Sequence, residues 1–158
     1  MCYNKSVHKS FYASGFLYHL RTQQILLHQP NLNSNSSSVW TMPGGTGREG
    51  EDAQKAFQRI IYRLLNLQLN EKCIHPVYDY FNNTLDTIHY VFYAQVKTMN
   101  NLLMPDKDTL LWFTFKQITK LPLSEQTKQD IIVSQRVIQA QARSDSGIVP
   151  APRVIYKT

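Results

Sequence analysis

The sequence predicts an α/β (α+β) domain, a β-sheet closed by helices, from three observations. Trp40 to Leu69 reads WTMPGGTGREGEDAQKAFQRIIYRLLNLQL: a short apolar strand, a glycine loop and one long amphipathic helix. Three β-prone runs, Lys9 to Leu20, Ile74 to Phe81 and Thr87 to Val96, supply a sheet. A last apolar-periodic stretch after Ser124 supplies a second helix.

In chain order, Lys9 to Leu20 alternates Phe11, Ala13 and Gly15 against Tyr12 and Ser14, the two-residue period of a strand. Arg21-Thr22-Gln23 is a polar turn and Gln24 to Gln29 returns as a second strand, so the two form a hairpin. Pro30 ends it. Asn31 to Ser38 (NLNSNSSS) reads as a polar surface connection or a flap beside a ligand cleft. Val39 to Met42 forms the short strand that leads into Pro43-Gly44-Gly45, Gly47 and Gly50, whose backbone is free to take positive φ and to approach a ligand.

Asp52 stands where a helix N-cap belongs. At 100° per residue, Ala53, Ala56, Phe57, Ile60, Ile61, Leu64 and Leu67 share one arc, with Lys55, Arg59, Arg63 and Asn66 opposite. The helix is therefore apolar on one face and basic on the other. Ile74 to Phe81 then reads as a strand, Asn82-Asn83-Thr84 as a turn, and Thr87 to Val96 as an apolar strand for the middle of the sheet. Asn100 to Asp108 is a loop and Leu110 to Phe115 a short strand. Ser124 caps a final helix reaching about Ala142, with Ile131, Ile132, Val133, Val137 and Ile138 as its apolar set.

With 158 residues the chain has the size of one domain and can bury a core without staples. Its net charge of +6 favours anionic partners: nucleotides, nucleic acid or acidic surfaces. Cys2 and Cys73 lie outside any CxxC spacing, and His8, His19, His28, His75 and His89 show no metal-ligand spacing, so no metal is expected from these residues. No stretch approaches transmembrane length or has the core of a signal peptide, so the expectation is a cytoplasmic protein with no membrane partner.

Trp40 to Leu69 resembles the Nudix (MutT-like) box, G-x5-E-x7-R-E-U-x-E-E-x-G-U with U a bulky apolar residue. Gly45, Glu51, Arg59, Ile61 and Leu67 match it; Ile60, Arg63 and Leu64 stand at the three remaining glutamate positions and Asn66 at the last glycine. The order of elements and the Leu121-Pro122 pair before the closing helix extend the resemblance over residues 9–142. That leaves 1–8 as an N-terminal extension and 143–158 as a C-terminal tail, whose Ile148, Val149, Val154, Ile155 and Tyr156 are apolar enough to pack back on the domain. The resemblance implies the Nudix fold, a mixed sheet sandwiched between helices. It also implies that Glu51 and Arg59 are a structural pair tying loop to helix. Isoleucine, arginine and leucine cannot ligate the magnesium that the family's glutamates hold against a diphosphate.

Three functions follow as expectations. The first is binding of a nucleotide or other diphosphate-linked ligand with little or no metal-dependent pyrophosphohydrolysis, through Gly44, Gly45, Arg59 and Arg63, Arg63 supplying positive charge that metal would have brought. The second is an active hydrolase of nucleoside diphosphate derivatives with relocated carboxylates and magnesium. Its candidates are Glu49 and Glu51 in the loop, with Asp79, Asp86, Asp106 and Asp108. The third is an RNA-binding or scaffolding module, with Tyr78, Tyr80, Phe81, His89 and Tyr90 offered for base stacking. Ile60 and Leu64 would leave an apolar strip along the cleft, to be covered by the tail, a loop or the second subunit of a homodimer.

Overall fold

A computed structural model describes residues 10–30, 39–98 and 108–147. Its strands are β1 (Phe11–His19), β2 (Gln24–Gln29), β3 (Gly44–Thr46), β4 (Ile74–Asn82), β5 (Thr87–Val96) and β6 (Thr109–Thr114). Its helices are α1 (Ala53–Leu65), α2 (Phe115–Ile118) and α3 (Glu125–Asp145), with a 3-10 turn at Glu71–Cys73. The sheet runs β4-β5-β1-β2-β6, with β3 also paired to β1. It is mixed: β1 lies parallel to β5, while β1 with β2, β1 with β3, β2 with β6 and β4 with β5 are antiparallel.

Strand alternation divides the core between two faces. Ala13 and Leu17 of β1, Leu26 of β2 and Phe92 and Ala94 of β5 pack with Ala56, Phe57, Ile60, Ile61 and Leu65 of α1. Their neighbours Phe16, Tyr18, Ile25, Leu27, Val91 and Tyr93 point the other way, onto Ile118 of α2 and Ile131 and Ile138 of α3. Helices thus cover both sides of the sheet, as the resemblance implies, and β5 lies inside it between β4 and β1.

Several local expectations change. The strand expected at Val39 to Met42 is reduced to two isolated bridges, Trp40 with Leu123 and Thr41 with His28. The regular strand is instead the glycine segment itself, Gly44–Thr46, paired with Tyr12–Ser14. Only Gly50 in this loop takes positive φ, at 76°. Gly44 serves close approach rather than turning, because a Cβ there would lie 2.7 Å from the Tyr12 hydroxyl.

The box helix stops at Leu65, short of Leu69. Asn66 adopts the left-handed conformation (φ 52°, ψ 35°) and its N–H donates to the Tyr62 carbonyl at 2.8 Å, closing the last turn. Leu67 therefore packs on the core from the following loop, and Leu65 takes a core position that the arc omitted.

The closing helix runs on to Asp145. Its buried face holds the polar Asp130 and Ser134 beside Ile131 and Ile138, whereas Ile132 is exposed. The loop 31–38, Asp106 and the apolar tail lie outside the described residues. Among those described, no helix is long and apolar enough to cross a membrane.

Candidate functional site

The glycine loop is fastened to α1 by an ion pair. Arg59 Nε donates to Glu51 Oε2 at 2.9 Å, and its Nη2 donates to Glu51 Oε1 at 2.9 Å and to the Thr46 carbonyl at 3.0 Å. The Arg48 N–H also donates to Glu51 Oε1, at 3.0 Å. These hydrogen bonds, foremost that from Arg59, hold the Glu51 carboxyl below the usual glutamate range. Asp52 then caps α1 by accepting from the Lys55 N–H at 2.8 Å.

Between this loop, α1 and the end of β2 lies a cleft of about 700 Å³. The segment from Thr41 to Thr46 forms one wall and Ile60, Arg63 and Leu64 of α1 another, with Tyr12, His28, Arg48 and Arg59 completing the lining. Its charged lining groups among the described residues are arginines, and no Asp or Glu is among them. Ile60 is almost fully buried, and it is β3 that lies over it: a Cβ on Gly45 would stand 3.2 Å from the Ile60 Cδ1. Leu64 is half-buried, so the apolar strip is partly closed by the glycine strand itself.

Where β2 ends, His28 exchanges backbone hydrogen bonds with Thr41 at 2.9 and 2.8 Å. Its ring Nε2 lies 2.9 Å from Asp108 Oδ2, the two side chains being 14% and 23% exposed. Tyr12, which lines the cleft, stacks on His89 at a centroid distance of 4.9 Å, and the His89 Nδ1 meets the Tyr80 hydroxyl at 3.1 Å. Burial pushes the Tyr80 hydroxyl up to about 12 and lowers the His89 imidazole. The Tyr78 hydroxyl donates to the buried Asp130, which also accepts from Gln126. Burial raises the Asp130 carboxyl, against the pull of those hydrogen bonds.

Gly44, Gly45, Arg59 and Arg63 come together in the one cleft, with most of the Arg59 guanidinium committed to Glu51 and Thr46. Glu49 and Glu51 instead border a separate depression beside Ser10 and Phe11. Asp79 and Asp86 are exposed on β4 and on the turn after it. Of the stacking set, Tyr78, Tyr80 and His89 form the internal contacts above, Tyr90 packs edge-on against Phe11, and Phe81 is exposed. Sequence reasoning passed over Tyr12, His28 and Arg48. Arg48 was visible in the loop, but His28 joins the site only through its pairing with Thr41.

The donor chemistry of the cleft does not fit a divalent cation. Magnesium takes hard, preferably anionic oxygen ligands, and the described lining offers no carboxylate, with Ile60, Arg63 and Leu64 on the helix wall. Among the described residues no three His, Cys, Asp or Glu side chains are grouped to hold a metal ion.

A family model described as the NUDIX domain matches residues 12–135. The chain belongs to this family. Among solved structures, it is similar to one from a comparison of MutT of Aliivibrio salmonicida and Vibrio cholerae, at 13% identity and TM-score 0.65, covering 82% of this chain and 98% of that one. It is also similar to the NUDIX domain of Shewanella oneidensis NrtR complexed with ADP ribose, at 17% identity and TM-score 0.61, covering 82% and 86%. A C. elegans Ap4A hydrolase in a binary complex gives 16% identity and TM-score 0.61, covering 82% and 97%. At such identities the likeness carries the NUDIX fold. No curated protein sequence matches the chain.

Proposed function

We propose that this NUDIX protein binds a nucleotide or other diphosphate-linked ligand in the arginine cleft, with little or no metal-dependent pyrophosphohydrolysis. The observation that carries the reading is the exchange of charge at the box. Ile60, Arg63 and Leu64 occupy the positions of metal-binding glutamates, and the cleft they line is cationic without a metal. A diphosphate brings negative charge that arginine meets directly, through planar donors matched to phosphate oxygens. Arg63 and Arg48 take that role, because Arg59 is largely engaged with the loop. Tyr12, Met42 and Leu64 give the apolar surface against which the rest of the ligand lies.

The test measures binding and turnover together. Thermal stabilisation by ADP-ribose, NAD and nucleoside di- and triphosphates is recorded with and without magnesium, alongside release of phosphate-containing products. Stabilisation that is independent of magnesium supports the reading. Magnesium-stimulated turnover at ordinary enzyme rates sinks it.

A further inference from the structure

We propose that His28, oriented by Asp108, is a general base at the cleft and gives the protein a hydrolysis of phosphoanhydrides that needs no metal ion. The inference rests on the diphosphate-binding reading and adds a reaction to it.

A carboxylate oxygen accepts hydrogen bonds, so the His28 Nε2 facing Asp108 carries the ring proton, and Nδ1 of the neutral ring holds a lone pair. Among the described residues Asp108 is the single hydrogen-bond partner of this ring, and His28 is one of the residues that line the cleft. The buried histidines differ. Both ring nitrogens of His19 are engaged, by Thr22 and by the Lys97 carbonyl, and the His89 ring lies between Tyr12 and Tyr80. His28 thus combines a fixed ring, a carboxylate to stabilise its cation and a place on the anion-binding cleft.

The wall of the cleft separates this base from the positive charge. His28 enters at Thr41, and Thr46, five residues further, carries Arg59 on its carbonyl. Attack at phosphorus requires nucleophile and leaving group roughly in line, and His28 shares its cleft with Arg63 and Arg48. Nδ1 takes a proton from water as the water oxygen bonds to phosphorus, and the bridging P–O bond breaks. The leaving phosphate keeps that electron pair, its charge facing Arg63 and Arg48, and the proton on Nδ1 returns to solvent. Water is the co-reactant and no group is oxidised or reduced.

The experiment incubates the full chain with ADP-ribose, NAD and ATP in excess EDTA, follows products by chromatography and records thermal stabilisation in the same samples. AMP or ADP is expected above the buffer rate. His28→Gln is expected to lower kcat by about 100-fold, the usual worth of a general base, with KM within about twofold. Asp108→Asn, whose amide can donate to Nε2 and leave Nδ1 holding the proton, is expected to lower kcat by about tenfold or more at unchanged KM. Buffer-rate product in the EDTA-treated wild type, or wild-type turnover by His28→Gln, overturns the proposal. Stabilisation without product overturns the base and leaves the binding reading standing; neither stabilisation nor product ends both. If His28→Gln does not fold, the wild type in EDTA and Asp108→Asn decide.

Discussion

Arg59 grips Glu51 through two hydrogen bonds of 2.9 Å while reaching the Thr46 carbonyl at 3.0 Å. One side chain thereby fixes the exit of β3, the glycine loop and the helix relative to each other. The same grip places Glu51 at a separate depression, away from the cleft's lining. The NUDIX resemblance singled out this pair as structural, and its geometry explains how the cleft keeps its shape.

The pair makes stability depend on acid. The folded Glu51 carboxyl lies below its ordinary value, chiefly through the Arg59 hydrogen bond, so its contribution is present above about pH 4.3 and is lost as pH falls through the folded value. Glu51→Gln is expected to lose about 1 kcal/mol at neutral pH, the scale of a well-formed partly exposed pair. The difference from wild type should shrink in urea titrations carried down to about pH 3. Equal destabilisation at both pH values would remove the ion pair from the account.

Arg63 is exposed and makes no hydrogen bond or ion pair among the described residues, so the fold does not need it. Arg63→Ala and Arg48→Ala should each leave stability within about 0.5 kcal/mol. Under the binding reading each should weaken diphosphate affinity by about tenfold, the worth of one charge-assisted hydrogen bond. Calorimetric titration at low and high salt reads both effects, since contacts between exposed charges fade with ionic strength. Undiminished affinity in either variant would take that arginine out of the site.

The family's last box glycine is Asn66 here, and the structure shows why the chain tolerates it. Asn66 sits at φ 52°, ψ 35°, the left-handed region that glycine enters freely and asparagine more readily than other residues. Asn66→Ala should cost about 1 kcal/mol, while Asn66→Gly should stay within a few tenths of wild type. Urea midpoints of the two variants check it; an alanine as stable as the glycine would show that the cap conformation is not what the residue supplies.

What the sequence made legible follows how local the cause is. Gln24–Gln29 and Thr87–Val96 are strands at the residues expected, because alternation and flanking turns fix them within a few positions. The glycine strand was hidden: Gly44–Thr46 is a strand because Tyr12–Ser14 lies beside it, and a Cβ at Gly44 would crowd Tyr12 and Ser14 across the pair. Asp130 on the buried face of α3 was equally out of reach, since the Tyr78 that satisfies it stands in another element. In the site, Ile60, Arg63 and Leu64 can be read directly against the box pattern. The His28–Asp108 contact cannot, because it spans 80 residues of sequence.

Placing glutamates at positions 60 and 63 should therefore succeed unevenly. Ile60 is 9% exposed, belongs to the core cluster of α1 and lies beneath Gly45. A glutamate there forfeits apolar burial and sets a carboxylate among Ala13, Phe57 and Ile61 in the packed core. Ile60→Glu should cost about 2–4 kcal/mol, the range for a charge placed in a packed site. Arg63 projects from the same helix at an exposed position, and Arg63→Glu should change stability by no more than about 0.5 kcal/mol. Urea unfolding of the two single variants reads the difference. An Ile60→Glu protein as stable as wild type would mean that the position is open to water, and that the glycine strand has not closed over it as the structure describes.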